Sequence, residues 1–184
     1  MAARKVTFEQ GEYYHFYNRG SGRQSIFREP DNYLFVLEKV KKYIQLLNIT
    51  MIAYCLMPNH YHFLVRQNGI IPARLLVQRV FNSYSKAFNK KYERTGTLFE
   101  GRYKVDPIET EEHLLHLCCY IHANPVKDGF VKSLDEWAYS NYFEWIGTRQ
   151  GTLVDSAFVK SYFPKKGSYE AYVADYLDYL AKLG

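Results

Sequence analysis

The amino-acid sequence predicts an α+β domain built on an antiparallel sheet and followed by a C-terminal helical extension. Segments rich in strand-forming residues alternate with segments whose apolar residues recur at helical spacing. Two strand-like segments are separated only by residues 58–59, Pro-Asn, which is typical of a hairpin turn. The resulting order, strand–helix–strand–strand–helix–strand, is the split βαβ pattern of ferredoxin-like folds, with the helices on one face of the sheet. RNA-recognition (RRM-like) modules share this fold class.

Four strands follow from runs of aromatic and β-branched residues. The first stops at Gly20, and the second and third flank the Pro-Asn turn. The predicted strands cover residues 13–19, 49–57, 60–67 and roughly 102–108.

Two helices lie between these strands. The first begins at Pro30, with Asp31 as the expected N-cap, and its apolar residues recur at helical spacing. The second begins near Pro72, since proline suits a first helical turn, and runs towards Tyr92.

A third helix follows the fourth strand. Its expected N-cap is Thr110, which two acidic residues follow. We expect it to end before Pro125, because the residue ahead of a proline avoids helical geometry. Beyond residue 147 two weaker helical stretches are predicted, the last over residues 168–183.

Basic residues are concentrated in the middle of the chain. The whole protein has a formal net charge of +5, whereas residues 66–104 contain nine basic and two acidic residues, a net charge of +7. Aromatic residues punctuate this segment, and the combination is typical of a surface that binds a polyanion. A solvated helix face is the alternative. The basic residues expected to contact a phosphate backbone are Arg19, Arg23, Lys86, Arg94, Arg102, Lys104 and Lys127.

Composition argues against two other classes of protein. Three cysteines, two of them adjacent, do not form a disulfide framework. No stretch approaches the ~20 apolar residues of a membrane span. The N-terminal residues contain no apolar run that would serve as a signal peptide. We therefore expect a cytoplasmic protein with no membrane partner.

The third predicted strand carries a pair of histidines, His60 and His62. Side chains alternate along a strand, so both imidazoles leave by one face and Tyr61 points into the core. Two neutral imidazoles side by side can hold a divalent cation. The alternative is a pair of half-exposed histidines on an open sheet face. His15, on the first strand, is expected beside this pair, whereas His113, His116 and His122 are expected on the surface or in the core.

Four segments carry a resemblance to a known family. Residues 56–65, Leu-Met-Pro-Asn-His-Tyr-His-Phe-Leu-Val, resemble the His-hydrophobic-His strand of the single-tyrosine HUH transposases. Residues 120–130, Tyr-Ile-His-Ala-Asn-Pro-Val-Lys-Asp-Gly-Phe, resemble the tyrosine helix of the same family, and residues 98–104 and 136–142 resemble its connecting segments. The resemblance runs from about residue 13 to 147 and is strongest to the REP-associated tyrosine transposases.

This resemblance implies roles for four residues. Tyr120 is the implied nucleophile, and His60, His62 and Asn124 are the implied ligands of Mg²⁺ or Mn²⁺. Positions i and i+4 share a helix face, so Tyr120 and Asn124 can both address one ion. A core tyrosine and a C-terminal helix cap are the alternatives for these two residues.

The implied activity is cleavage and rejoining of single-stranded DNA through a 5′-phosphotyrosine, with hairpin or single-stranded DNA as the partner. Residues 1–147 form the implied transposase domain, and residues 148–184 an extension that is not an independent domain. The implied protein is a monomer or a homodimer. Three alternatives are a non-catalytic DNA- or RNA-binding module on the same fold, a metal-dependent hydrolase that uses water, and a structural protein without a ligand.

Overall fold

Four strands form one antiparallel sheet in the computed structural model, which describes residues 6–183. Residues 1–5 and Gly184 lie outside the described part. The expectation that the N-terminus is not a signal peptide rests partly on residues 1–5. The order across the sheet is β2-β3-β1-β4, which confirms the predicted α+β, ferredoxin-like class. The strands are β1 (Tyr13–Arg19), β2 (Ile49–Met57), β3 (His60–Gln67) and β4 (Lys104–Ile108).

Six helices surround this sheet within residues 6–183. Short 3-10 turns cover Ser21–Arg23 and Leu134–Glu136. No helix formed by the described residues combines the length and apolar composition that crossing a membrane requires. The helices are α1 (Pro30–Leu46), α2 (Arg74–Lys91), α3 (Glu111–Lys127), α4 (Tyr142–Trp145), α5 (Ser156–Tyr162) and α6 (Ser168–Leu183).

Helices α1 and α2 cover one face of the sheet, as predicted for the split βαβ unit. Their buried side chains pack against Tyr61, Phe63 and Val65 of β3. The Tyr61 ring is buried and stacks on Phe81 of α2, with the ring centroids 3.8 Å apart. Tyr61 therefore points into the core, as strand alternation predicts.

Helix α3 lies on the opposite face, which the expectation of helices on one face did not include. Its apolar side, with Leu117 and Ile121, packs on Cys55 and Leu64. The C-terminal helices extend this second core, in which Tyr169 of α6 is buried. Strand side chains that α3 does not cover are left facing an open cleft, and this placement creates the candidate site.

Four predicted boundaries are wrong. Helix α2 begins at Arg74 with Ala73 as its N-cap, so Pro72 precedes the helix. Asp31 is not the cap of α1, because Glu29 occupies the N-cap position and Pro30 already lies in the first turn. Strand β4 begins at Lys104, two residues later than predicted. Helix α3 does not stop before Pro125.

Pro125 is accommodated because it lies in the last turn of α3. A proline lacks an amide hydrogen and costs one helical hydrogen bond, but only two helical residues follow it here. The carbonyl of Asn124 accepts from the amide of Asp128 at 2.8 Å, and that of Pro125 accepts from the amide of Phe130 at 2.9 Å. These bonds close the helix end and fix the position of Asp128.

Candidate active site

A cleft of about 430 Å³ opens beside β1 and β3, at the C-terminal end of α3. It brings together all four residues of the predicted chemistry, although they come from a strand and a helix far apart in sequence. Its lining includes His60, His62, Tyr120 and Asn124.

Strand register places both histidines on the cleft face of the sheet. His62 lies opposite Tyr17 of β1, and His60 lies opposite Arg19. The two imidazole rings are 5.1 Å apart between centroids and nearly perpendicular, at 85°. Their placement on one face agrees with the alternation of the sequence.

The Nδ1 atoms of both histidines contact neighbouring side chains. Nδ1 of His62 lies 2.9 Å from Nε2 of His15, and Nδ1 of His60 lies 2.7 Å from Oδ1 of Asn59. Such contacts fix the orientation of an imidazole and leave its other nitrogen available. His15 thus lies beside the pair as expected, whereas the contact of Asn59 was not expected from the sequence.

Burial keeps these imidazoles uncharged. It lowers the pKa of His62 well below its usual value, with His15 and His60 adding to the effect. Burial also lowers the pKa of His60, against an opposing effect of the Asp128 carboxylate, and lowers that of His15 to about 4. Neutral imidazoles have the lone pairs that metal ions bind.

Tyr120 approaches the histidine pair from α3. Its ring is half-buried and meets the His62 ring edge-on, with centroids 5.6 Å apart. The ammonium of Lys127 lies 3.4 Å from the Tyr120 hydroxyl and 4.4 Å from the ring centroid. The hydroxyl therefore accepts a hydrogen bond from a cationic group within the cleft.

Asn124 lies one turn beyond Tyr120 on the same side of α3. Its side chain is buried, and Nδ2 donates to the carbonyl oxygen of Tyr120 at 2.8 Å. With Nδ2 held by the helix, the amide oxygen is the atom of Asn124 that can address an ion.

Asp128 is a cleft residue that the sequence did not single out. Its Oδ2 lies 3.7 Å from Nε2 of His60, and its Oδ1 lies 3.6 Å from the ammonium of Lys127. The only signal in the sequence is its place in the Asn-Pro-Val-Lys-Asp-Gly segment, where it reads as an ordinary helix-terminal residue.

The donor atoms that line the cleft are of the kinds that a divalent cation binds. Among residues 6–183, no group of three or more His, Cys, Asp or Glu side chains is arranged around one point to hold a metal ion. The candidate set is instead two neutral imidazoles and one amide oxygen, which are donors that divalent cations accept. It meets at a cleft open to solvent, so substrate can reach it.

The structure places some of the predicted DNA-contacting residues in the cleft and others outside it. Four line the cleft: Arg19, Arg23, Lys104 and Lys127. Arg102 lines a neighbouring cleft between α2 and the segment before β4. Lys86 is exposed on α2 outside both clefts, and Arg94 donates to Oε1 of Gln24 at 2.8 Å.

The other histidines of α3 do not contribute to the cleft. His113 and His116 are exposed. His122 is buried, with Nδ1 2.5 Å from the hydroxyl of Tyr169 and Nε2 2.8 Å from Oδ1 of Asn141. His122 is thus a hydrogen-bonded core residue, as the sequence allowed.

Comparison with known proteins identifies relatives of this chain. The family model described as IS200-like transposase matches residues 10–124, more than half of the chain. A candidate REP-associated tyrosine transposase of Haemophilus influenzae is 30% identical over 102 residues, which cover 50% of this chain and 57% of that protein. The match thus spans little more than half the length of this relative.

A solved structure shares the fold. It is that of a REP-associated tyrosine transposase bound to a REP hairpin, and it superposes with a TM-score of 0.68 at 17% sequence identity. The superposition covers 84% of this chain and 94% of the other. At this identity, the likeness establishes a common fold.

Proposed function

Because this chain belongs to the IS200-like transposase family, we propose that it cleaves and rejoins single-stranded DNA through Tyr120. The observation that carries the proposal is the meeting of the Tyr120 ring with His62, 5.6 Å between centroids, in a cleft that His60 and Asn124 also line. The hydroxyl of Tyr120 is also hydrogen-bonded by Lys127, another residue that lines the cleft.

Tyr120 is the nucleophile in this proposal. Its oxygen attacks the phosphorus of the scissile phosphodiester, a tyrosyl–phosphorus bond forms, and the bond to the 3′ oxygen breaks. The phenol loses its proton and the departing 3′ oxygen takes one up, so the strand ends in a free 3′-hydroxyl and a 5′-phosphotyrosine. The ester keeps the bond energy, and the 3′-hydroxyl of a second strand rejoins the DNA by the reverse step.

His60, His62 and Asn124 are the proposed ligands of Mg²⁺ or Mn²⁺. When bound, the ion supplies neutralisation of the negative charge on the scissile phosphate. His15 orients the imidazole of His62, and Asn59 orients that of His60, in each case by a contact with Nδ1 of the ligand histidine. Lys127 donates to the Tyr120 hydroxyl and adds a positive charge beside the attacking oxygen.

The proposed substrate is hairpin DNA with single-stranded flanks. A relative of the same fold has been solved with a REP hairpin. Basic residues on both sides of the cleft, Arg19 and Lys104 from the strands and Lys127 from α3, are suited to the phosphates of a strand that crosses it. The protein is further proposed to act in the cytoplasm, as a monomer or a homodimer.

Residues 1–147 are the proposed catalytic domain, and residues 148–184 are proposed to fold with it. Tyr169 of α6 supports this division, because it is buried and its hydroxyl bonds His122 in the middle of α3. An independent unit would not share its core with the helix that carries Tyr120.

A covalent adduct tests the proposal. A pool of labelled hairpin oligonucleotides with varied single-stranded flanks is incubated with the full chain and Mn²⁺ and run on a denaturing gel. We expect a labelled protein band for the wild type and none for Tyr120→Phe. Tyr179→Phe, which alters an exposed tyrosine of α6, is the matched control and should retain the adduct.

Three results would overturn the proposal. Cleavage without any adduct indicates a hydrolase that uses water, and identical products from Tyr120→Phe remove this residue from the chemistry. Tight DNA binding without cleavage, with or without Mn²⁺, indicates a non-catalytic binding module.

A further inference from the structure

We propose that the carboxylate of Asp128 is a direct ligand of the cation that His60 and His62 hold. The inference rests on the proposed function, in which these histidines bind a divalent ion, and it adds a fourth residue to their set. It accounts for a charged side chain that enters the cleft beside the ligands, at a position which the proposed reaction does not otherwise use.

The first observation that supports this inference is the distance between a carboxylate oxygen of Asp128 and an imidazole nitrogen of His60. Oδ2 of Asp128 lies 3.7 Å from Nε2 of His60. Two donors that bind one ion at about 2.1 Å are roughly 3.0–3.4 Å apart, depending on octahedral or tetrahedral geometry. The two atoms are therefore roughly 0.3–0.7 Å further apart than two donors that share an ion, a gap that a small turn of the Asp128 side chain would close.

The second observation is the hydrogen bonding of His60, which determines which of its two ring nitrogens has a free lone pair. The oxygen of Asn59 can only accept, so Nδ1 of His60, 2.7 Å away, carries the imidazole hydrogen. Nε2 then presents a lone pair towards the carboxylate of Asp128. A cation placed between these two acceptors would be attracted to both, and it would add to the positive charge that Lys127 already brings to Asp128 at 3.6 Å.

The third observation is the position of Asp128 at the C-terminal end of α3, next to Asn124. The amide of Asp128 donates to the carbonyl of Asn124 at 2.8 Å, so this residue is tied to another proposed ligand. Its side chain is 31% exposed and retains room to turn. Such a turn is needed, because His60, His62 and Asp128 as placed do not surround a single point.

A carboxylate changes the chemistry of the proposed site. Two neutral imidazoles and an amide give a set without charge, whereas Asp128 adds one negative charge and a hard oxygen donor. Hard oxygen donors favour Mg²⁺ and Mn²⁺ over softer ions. The inference therefore predicts tighter binding of these two ions than the set of three would provide.

Mn²⁺ binding by the full chain without DNA tests the inference. Isothermal titration of the wild type and of Asp128→Asn, which keeps the shape and removes the charge, gives the two dissociation constants. We expect Mn²⁺ to bind Asp128→Asn at least about tenfold more weakly. Asp178→Asn, which removes an exposed carboxylate of α6 outside the cleft, is the control and should bind as the wild type does.

The outcomes separate this inference from the proposed function. If the wild type binds Mn²⁺ and Asp128→Asn binds it equally or more tightly, Asp128 is only an ion-pair partner that competes for His60, and the inference alone fails. If the wild type binds no Mn²⁺, the proposed metal dependence fails with it. Asp128→Glu, which restores the charge on a longer side chain, should recover part of the affinity and identifies any loss in Asp128→Asn that reflects misfolding.

Discussion

At the scale of single residues, the buried histidines are the most informative side chains. His15 and His62 share a hydrogen bond behind the cleft, and His122 is bonded within the second core by Tyr169 and Asn141. Burial disfavours the charged form of each imidazole. The same property that suits His62 to a metal ion makes the fold sensitive to acid.

The stability of the metal-free protein should fall as the pH is lowered from 7 to 5. Burial lowers the pKa of His15 and of His122 to about 4, below the ~6.5 of an unfolded histidine. The unfolded chain therefore binds more protons between these values, and stability present above pH 6.5 is lost as the pH falls towards 4. Each histidine should contribute a loss of about 2 kcal/mol by pH 5.

Urea unfolding at the two pH values, with a chelator present, measures this loss. His122→Gln removes one of the titrating groups and should lose about 2 kcal/mol less than the wild type between pH 7 and pH 5. Equal losses in the two proteins would show that His122 is protonated in the folded state.

At the scale of elements, α3 determines the site because the helix presents Tyr120 and Asn124 to the cleft and its C-cap residue is Asp128. Its N-terminus is held by Thr110, whose hydroxyl accepts from the amide of His113 at 3.2 Å. Its C-terminus continues past Pro125 and is closed by backbone bonds from the following turn. Both ends are therefore fixed, and the rotation of the helix about its axis is fixed with them.

Loss of the cap should destabilise the protein modestly. Thr110→Ala leaves the amide of His113 without its partner, and we expect the free energy of unfolding to drop by about 1 kcal/mol. Chemical denaturation of this variant and of Thr95→Ala, in an exposed loop, gives the comparison. An equal effect of the two substitutions would contradict a capping role for Thr110.

The strands of this protein were predictable from the sequence to the residue in three cases. β1, β2 and β3 have the predicted bounds, because aromatic and β-branched runs end at Gly20 and at the Pro-Asn turn. The end of α3 was not predictable. Local propensity stops a helix ahead of Pro125, whereas amides of the following turn, among them those of Asp128 and Phe130, donate to carbonyls at the helix end and offset the lost bond.

The candidate site was predictable where chemistry follows from local periodicity. Alternation along β3 pairs His60 with His62, and helical spacing joins Tyr120 to Asn124. The contact of Asp128 with His60 joins residues far apart in sequence, so no local pattern contains it. The position of Lys86 outside both clefts was not predictable either, since a run of positive charge does not indicate which face of α2 a residue occupies.

At the scale of the whole molecule, the two cores are joined through the sheet, and the C-terminal segment completes the second one. Tyr169 packs against Trp145, with ring centroids 4.5 Å apart, and bonds His122. Contacts of this kind predict that residues 148–184 unfold together with the rest of the chain.

Tyr169→Ala should therefore destabilise the whole protein. The substitution leaves a cavity in the second core and removes the partner of His122, and we expect a loss of about 3–5 kcal/mol. Thermal unfolding should retain a single transition, and Tyr179→Ala, at an exposed position of α6, should be nearly neutral. A separate low-temperature transition in Tyr169→Ala would show that the extension is an independent unit.

The charge distribution over the cleft should make DNA affinity depend on salt. If the four basic side chains that line it, Arg19, Arg23, Lys104 and Lys127, each contact one phosphate, single-stranded DNA should bind about 50-fold more weakly at 200 mM than at 50 mM salt. Fluorescence anisotropy over a salt series measures the slope. Lys104→Gln should reduce it by about 0.7, whereas Lys86→Gln, outside the clefts, should leave it unchanged.

The most direct test is a crystal structure with Mn²⁺, located by anomalous scattering, because every proposed role depends on an ion and a phenol sharing one cleft. We predict a single strong peak at bonding distance from Nε2 of His60 and of His62, with the Tyr120 hydroxyl facing it across the cleft. A peak at another site, or a Tyr120 side chain turned away from an ion bound by the two histidines, would contradict the assignment of Tyr120 as the nucleophile.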